Sequence, residues 1–146
     1  MTEGRIRAVA LAIFVRPCDR AVLAVRLQDQ GSVFYRPPGG AIEFGEYSAD
    51  AACREVLEEM GQPVVAERLL GVVENQFMQK GKARHEILFN WLLRFEDESL
   101  YERDEIEIVE QVDEVYTAYW VHDAELLAQG TPLYPRELVQ QLEALA

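Results

Sequence analysis

The sequence predicts an α/β protein, an α/β/α sandwich of helices around a mixed β-sheet in a single domain over 1–146. Three observations carry this. A length of 146 residues with 49% apolar content matches one domain of ordinary globular composition with enough apolar surface to bury a core. Apolar runs of strand length are interleaved with amphipathic segments of helix length, the pattern of strands covered by helices. The early runs are joined by connections of hairpin length, too short for parallel crossovers, so the sheet is expected to be mixed rather than doubly wound.

Taken in order, 5–16 and 21–27 read as two strands joined by a turn through Cys18, Asp19 and Arg20, their nearly continuous apolar character suggesting burial on both faces. A polar loop, 28–32, leads to Val33, Phe34 and Tyr35. The stretch Arg36-Pro37-Pro38-Gly39-Gly40 then excludes helix and central strand, because two prolines remove donors and two glycines permit unusual dihedrals. A helix is expected over Ser48–Met60, with Ser48 as N-cap, Asp50 in the first turn, Gly61 as the C-terminal glycine and Pro63 preventing continuation. Strands follow at 69–77 and 85–95, separated by the turn-like 79–82, and Ile87 to Leu93 is expected to be central. The segment 96–114 carries ten carboxylates and one arginine and reads as a solvated, mobile loop. A last strand at 116–121 precedes two closing helices, Asp123–Gln129 and 135–145, the second opening on a proline at its first helical position. No repeat, low-complexity tract or linker interrupts the chain.

Charge excludes further classes. Lys and Arg number 14 against 26 Asp and Glu, a balance of −12, which opposes nonspecific binding to a phosphate backbone through counterion release. Handling phosphates therefore requires positive charge from elsewhere. Two cysteines, Cys18 and Cys53, are too few for a disulfide scaffold or structural zinc site and read as reduced, partly buried thiols. Arg5 and Arg7 precede an apolar run at 8–15, but Arg16 and Pro17 stand where a secretory signal needs small residues. No run approaches the roughly 20 apolar residues of a membrane span. A soluble, cytoplasmic protein with no membrane or nucleic-acid partner is expected.

The chemistry concentrates on the helix. At about 100° per residue, Glu55, Glu58 and Glu59 share one arc while Ala49, Ala52, Cys53, Val56 and Met60 share another. Like charges at such spacings cost a few tenths of a kcal/mol per pair, and a divalent cation would relieve them, since Mg²⁺ prefers carboxylate oxygens and leaves room for phosphate in its shell. A solvated acidic face explains the spacing equally well. Glu46 is placed to join the cluster or to pair with Arg54.

The loop adds information. From Gly40 the chain reads Gly40-x5-Glu46-x7-Arg54-Glu55-Val56-x-Glu58-Glu59-x-Gly61, which resembles the signature box of the Nudix hydrolases over 40–62, with Gln62 departing from the apolar residue usual at the last position. The approach Tyr35-Arg36-Pro37-Pro38-Gly39-Gly40 is similar to the family's loop before the box. Trp120-Val121-His122-Asp123-Ala124-Glu125-Leu126 is similar to its late strand-to-helix turn. The resemblance implies a Nudix-type fold and hydrolysis of a phosphoanhydride in a nucleoside diphosphate linked to another moiety, with Mg²⁺ or Mn²⁺ lowering the pKa of bound water. It further implies Glu58, Glu59, Glu55 and the Gly39 carbonyl as metal ligands, with Glu55 as ligand or general base. Arg54 would orient a box glutamate and Glu46 support the loop. Many relatives dimerise, so a homodimer is compatible with it.

Substrate contacts are expected from Arg26, Arg36, Tyr35 and Phe77, with Phe34 a further stacking candidate and Trp91 more simply core. Lys80, Lys82 and Arg84 are either phosphate contacts or surface solubilisers. Glu105, Glu107, Glu110 and Glu114 are equivalent candidates for a late catalytic acid, and His85 is either a base or a packing residue at a strand end. The alternatives to a small-molecule pyrophosphohydrolase are removal of pyrophosphate from RNA 5′ ends and a nucleotide-sensing module without turnover.

Overall fold

The computed structural model describes residues 4–145. The first strand, β1 (Ile6–Ile13), is buried from Val9 onward and has partners on both sides. Its odd residues Val9, Leu11 and Ile13 pack with Ala24, Leu88, Val121 and Leu138, and its even residues Ala10 and Ala12 pack with Leu23, Val56 and Ile108. Two cores therefore meet at one strand, which is why its sequence is apolar without alternation.

The expected hairpin of β1 with β2 (Val22–Asp29) closes only at its base. There Val15 bridges Val22 and the Arg16 amide donates to the Ala21 carbonyl at 2.8 Å. Beyond that point the strands diverge into different sheets, a correction to the single mixed sheet predicted. One sheet, in the order β4 (Gly39–Ala41), β1, β6 (Lys82–Phe95), β5 (Val64–Gln79), is mixed: β1 runs parallel to β6 and antiparallel to β4. The other, in the order β3 (Ser32–Arg36), β2, β8 (Glu114–Val121), β7 (Glu105–Gln111), is antiparallel throughout. Local apolar patterning does not encode which sheet a strand joins. β6 is interior, as expected, and the Gly-Gly stretch forms a short edge strand in place of a pure loop.

Helix α1 (Ser48–Met60) has the predicted limits, and Gly61 ends it in the left-handed region with φ 68°. Its start differs. Tyr47 is the N-cap and makes no side-chain cap bond, while the Ser48 hydroxyl accepts from Trp91 Nε1 at 2.8 Å. That bond satisfies the indole of a core-packed tryptophan, so the serine is engaged by β6.

The acid-rich segment is not a loop. Asp97 caps a 3-10 helix (Glu98–Glu102) that buries Leu100, and the Tyr101 hydroxyl accepts from the Phe95 amide at 3.1 Å. Then β7 buries Ile106 and Ile108. Burying such a side chain is worth roughly 1.5–3 kcal/mol, whereas outward carboxylates on an edge strand stay solvated, so two isoleucines outweigh the acids around them. The closing helices are α2 (Asp123–Gln129), as expected, and α3 (Glu137–Glu143), shorter than expected because Pro135 and Arg136 precede it. Cys53 is partly buried among core residues, while Cys18 is exposed in the first turn rather than partly buried. No helix among the described residues is long and apolar enough to cross a membrane.

Candidate functional site

Arg54 organises the acidic face of α1. Its Nε and Nη2 donate to the two Glu46 carboxylate oxygens at 2.7 and 2.9 Å, while Nη1 reaches Glu55 at 3.0 Å and Glu58 at 3.3 Å. Nη2 also donates to the Ala41 carbonyl at 3.1 Å. One guanidinium thus ties the loop after β4 to the helix, using the fork geometry that a lysine lacks. The same bonds hold the Glu46 carboxyl below the usual carboxylate range and the guanidinium above its own.

Opposite this latch, β4 lies against the helix at Gly40. A Cβ there would overlap the Glu55 carboxylate, and a Cβ at Gly39 would overlap the Ala10 carbonyl of β1. The two glycines therefore let an acidic side chain and a backbone strand share one space. Gly39, Glu55, Glu58 and Glu59 all line a cleft of about 570 Å³, together with Arg7, Arg36, Glu86 and Glu110. Burial, then the neighbouring charges of Glu55, Glu110 and Glu58, push the Glu59 carboxyl up to about 8. Burial also raises Glu110, with Glu114 and Glu55 adding to it and Arg36 opposing.

Among the described residues no three His, Cys, Asp or Glu side chains are already gathered as a metal cage. The donor set nonetheless suits a hard cation. It consists of carboxylate oxygens around a glycine backbone, with one carboxyl driven toward its protonated form by burial and by the neighbouring acids.

Arg36 stands at the far wall, where it donates to the 4% exposed Glu86 at 2.9 Å; Arg7 approaches the other Glu86 oxygen at 3.6 Å. With Leu27 and Gln79, Arg36 also lines a second pocket of about 520 Å³ walled by Phe34, Phe77 and Tyr134. The Phe34 and Tyr134 rings lie 5.9 Å apart at 52°.

Of the residues expected to meet substrate, the structure brings Arg36 and Phe77 to these pockets and leaves Arg26 and Tyr35 outside. Alternation explains the difference. On the β2–β3 ladder Arg26 is opposite Tyr35 and Leu27 opposite Phe34, so the second pair faces the pocket and the first faces away. Tyr35 packs against the core instead, and Arg26 is exposed. His85 pairs with Glu74 at 3.1 Å and lines neither pocket. Of the four late acids only Glu110 lines the cleft. It sits where β7 slips register against β8 between Val109 and Gln111, and both of those neighbours line the cleft with it, so strand alternation in the sequence does not mark it. Glu86 and Tyr134 had no local signal: the first looks like one more surface acid, and the second reaches the pocket from the segment before α3.

The NUDIX domain family model matches residues 6–142. A Mycobacterium tuberculosis protein provisionally named mutator protein MutT4 is 32% identical over 95 residues, covering 65% of this chain and 38% of its own. An m7GpppN-mRNA hydrolase of Xenopus laevis is 33% identical over 95 residues, covering 59% of this chain and 32% of its own. The chain thus spans about a third of the length of these curated relatives. The solved structure of a MutT Nudix hydrolase from Burkholderia pseudomallei superposes with a TM-score of 0.60 at 23% identity, over 98% of this chain and 100% of that one, a likeness of fold. With the matched region running from β1 to α3 and the seven-letter box seated on β4 and α1, the chain belongs to the Nudix family.

Proposed function

We propose that the chain is a metal-dependent pyrophosphohydrolase that cleaves a phosphoanhydride in a nucleoside diphosphate linked to a further moiety. The observation that supports this best is the continuity of two unlike pockets. A carboxylate-lined cleft under β4 shares Leu27, Arg36 and Gln79 with an aromatic pocket, so a base can stack while its phosphates reach the acids. Glu55, Glu58, Glu59 and the Gly39 carbonyl would hold Mg²⁺ or Mn²⁺, which when bound lowers the pKa of water and neutralises phosphate charge. Arg54 orients Glu55 and Glu58, and Arg36, fixed by Glu86, presents a cation to the phosphates. Glu110 lines the same cleft as Glu59 and adds to the charge that raises it, so it would support the metal-holding carboxylates from β7.

The test is release of phosphate or nucleotide from nucleoside triphosphates, nucleotide sugars and dinucleoside polyphosphates with Mg²⁺ and Mn²⁺ separately. Metal-dependent turnover that Glu59→Gln loses supports the reading. Binding without turnover of any diphosphate overturns it in favour of a sensing module. A nucleic-acid 5′ end is the second reading, favoured by the Xenopus relative and opposed by the −12 balance.

A further inference from the structure

A third pocket adjoins the cleft. Arg7 and Glu86 line the cleft and also line this pocket with Arg5, Lys82, Arg84 and His85. Four cations therefore gather in one place on a chain of net charge −12. Two come from the start of β1 and two from the start of β6, brought together by the parallel register that sets Ile6 beside His85 and Arg7 beside Glu86. Among the described residues the one carboxylate lining this pocket, Glu86, is already engaged by Arg36 and Arg7. Among the described residues Arg5, Lys82 and Arg84 form no ion pair, and the Arg84 Nε–H is shielded from solvent without an acceptor. A sheltered donor amid unpaired like charges is an unfavourable arrangement that a bound oxyanion relieves.

We infer that this pocket binds a phosphate group carried on the moiety beyond the scissile diphosphate. This rests on the hydrolase reading above and narrows it. The base lies in the aromatic pocket, the diphosphate at the α1 carboxylates, and the far moiety, itself phosphorylated, against Arg5, Lys82 and Arg84. Arg5, Lys82 and Arg84 form a compact receptor for one such group rather than a track for a polynucleotide.

Two measurements decide it. Inorganic pyrophosphate is titrated calorimetrically onto metal-free protein, in which the α1 carboxylates repel it from the cleft and the basic pocket attracts it. One saturable site is expected, weakened at least tenfold by Lys82→Gln with Arg84→Gln. Should that variant fail to fold, Arg5→Gln with Lys82→Gln, both at exposed positions, carries the test. Absence of binding, or equal binding by the folded variant, overturns the inference.

The second measurement compares ADP-ribose with ADP-ribose 1″-phosphate, which differ only by a phosphate on the far sugar. At least tenfold higher kcat/KM for the phosphorylated form, expressed in KM and lost in the variant, is expected; parity in the wild type overturns the inference. Affinity that instead climbs with the length of a capped oligonucleotide overturns it in favour of a backbone track. Failure to hydrolyse any diphosphate breaks the hydrolase reading and leaves the metal-free titration to judge the pocket.

Discussion

Two acid-rich segments behave in opposite ways. In α1, Glu55, Glu58 and Glu59 crowd one face, and Arg54 holds two of them in a fixed bonded arrangement with Glu46. In 96–114, ten carboxylates share one arginine, yet the chain forms a 3-10 helix and an edge strand, and of those acids only Glu110 lines the cleft. Density of charge is therefore a poor locator of chemistry. What separates the segments is the burial of the other face. The helix needs a partner for its acids, whereas the acids of β7 are all exposed and one of them, Glu110, reaches the cleft at a bulge.

Removing a cleft carboxylate breaks this contrast hardest. Glu59→Gln should cut turnover roughly 100- to 10,000-fold with the fold retained by circular dichroism, while near-normal rates would put the chemistry elsewhere. Next, Arg54→Gln should cost about 10- to 100-fold, as when a group orienting metal ligands is lost, and should raise the metal concentration needed for half-maximal rate. A kcat loss with unchanged metal dependence would assign Arg54 to the substrate instead.

The edge strand offers a smaller, sharper comparison. Glu110→Gln should lower kcat about tenfold, the low end for groups that support a metal centre, while Glu105→Gln and Glu107→Gln, on the outward face, leave it unchanged. Equal effects at all three positions would mean that lining the cleft does not select the residue.

The smallest effect is on stability. The Glu59 carboxyl titrates near 4.5 in the unfolded chain and about 8 in the fold. Between those values the native state holds a proton the unfolded state has released, so metal-free stability should fall as pH rises through this window. Millimolar Mg²⁺ should flatten that slope by taking the proton's place, and Glu59→Gln should abolish it. A Tm indifferent to pH between 5 and 8 in chelator would remove this coupling.

The box and the limits of α1 were legible because both depend on residues close in sequence: Gly61, Pro63 and a three-and-four spacing. The place of Glu110 was not legible, since it depends on the register slip of β7 against β8 and not on the alternation of Ile106 and Ile108. Tyr35 and Phe34 were separable only by knowing which side of β3 faces the pocket. The divergence of β1 and β2, the burial of Glu86 and the meeting of Arg5 and Arg7 with Lys82 and Arg84 all depend on β1 pairing with β6. No short-range pattern records that pairing.

The same ladder has a cost in time. Ile6 meets His85, 79 positions later, so on a ribosome adding about 5–20 residues per second the first strand waits roughly 4–16 s for its neighbour. During that interval α1 has been made, but the strand that completes the sheet beneath it has not. Its carboxylates then act as gatekeepers, keeping an unfinished amphipathic helix and a bare apolar strand from joining those of another nascent chain.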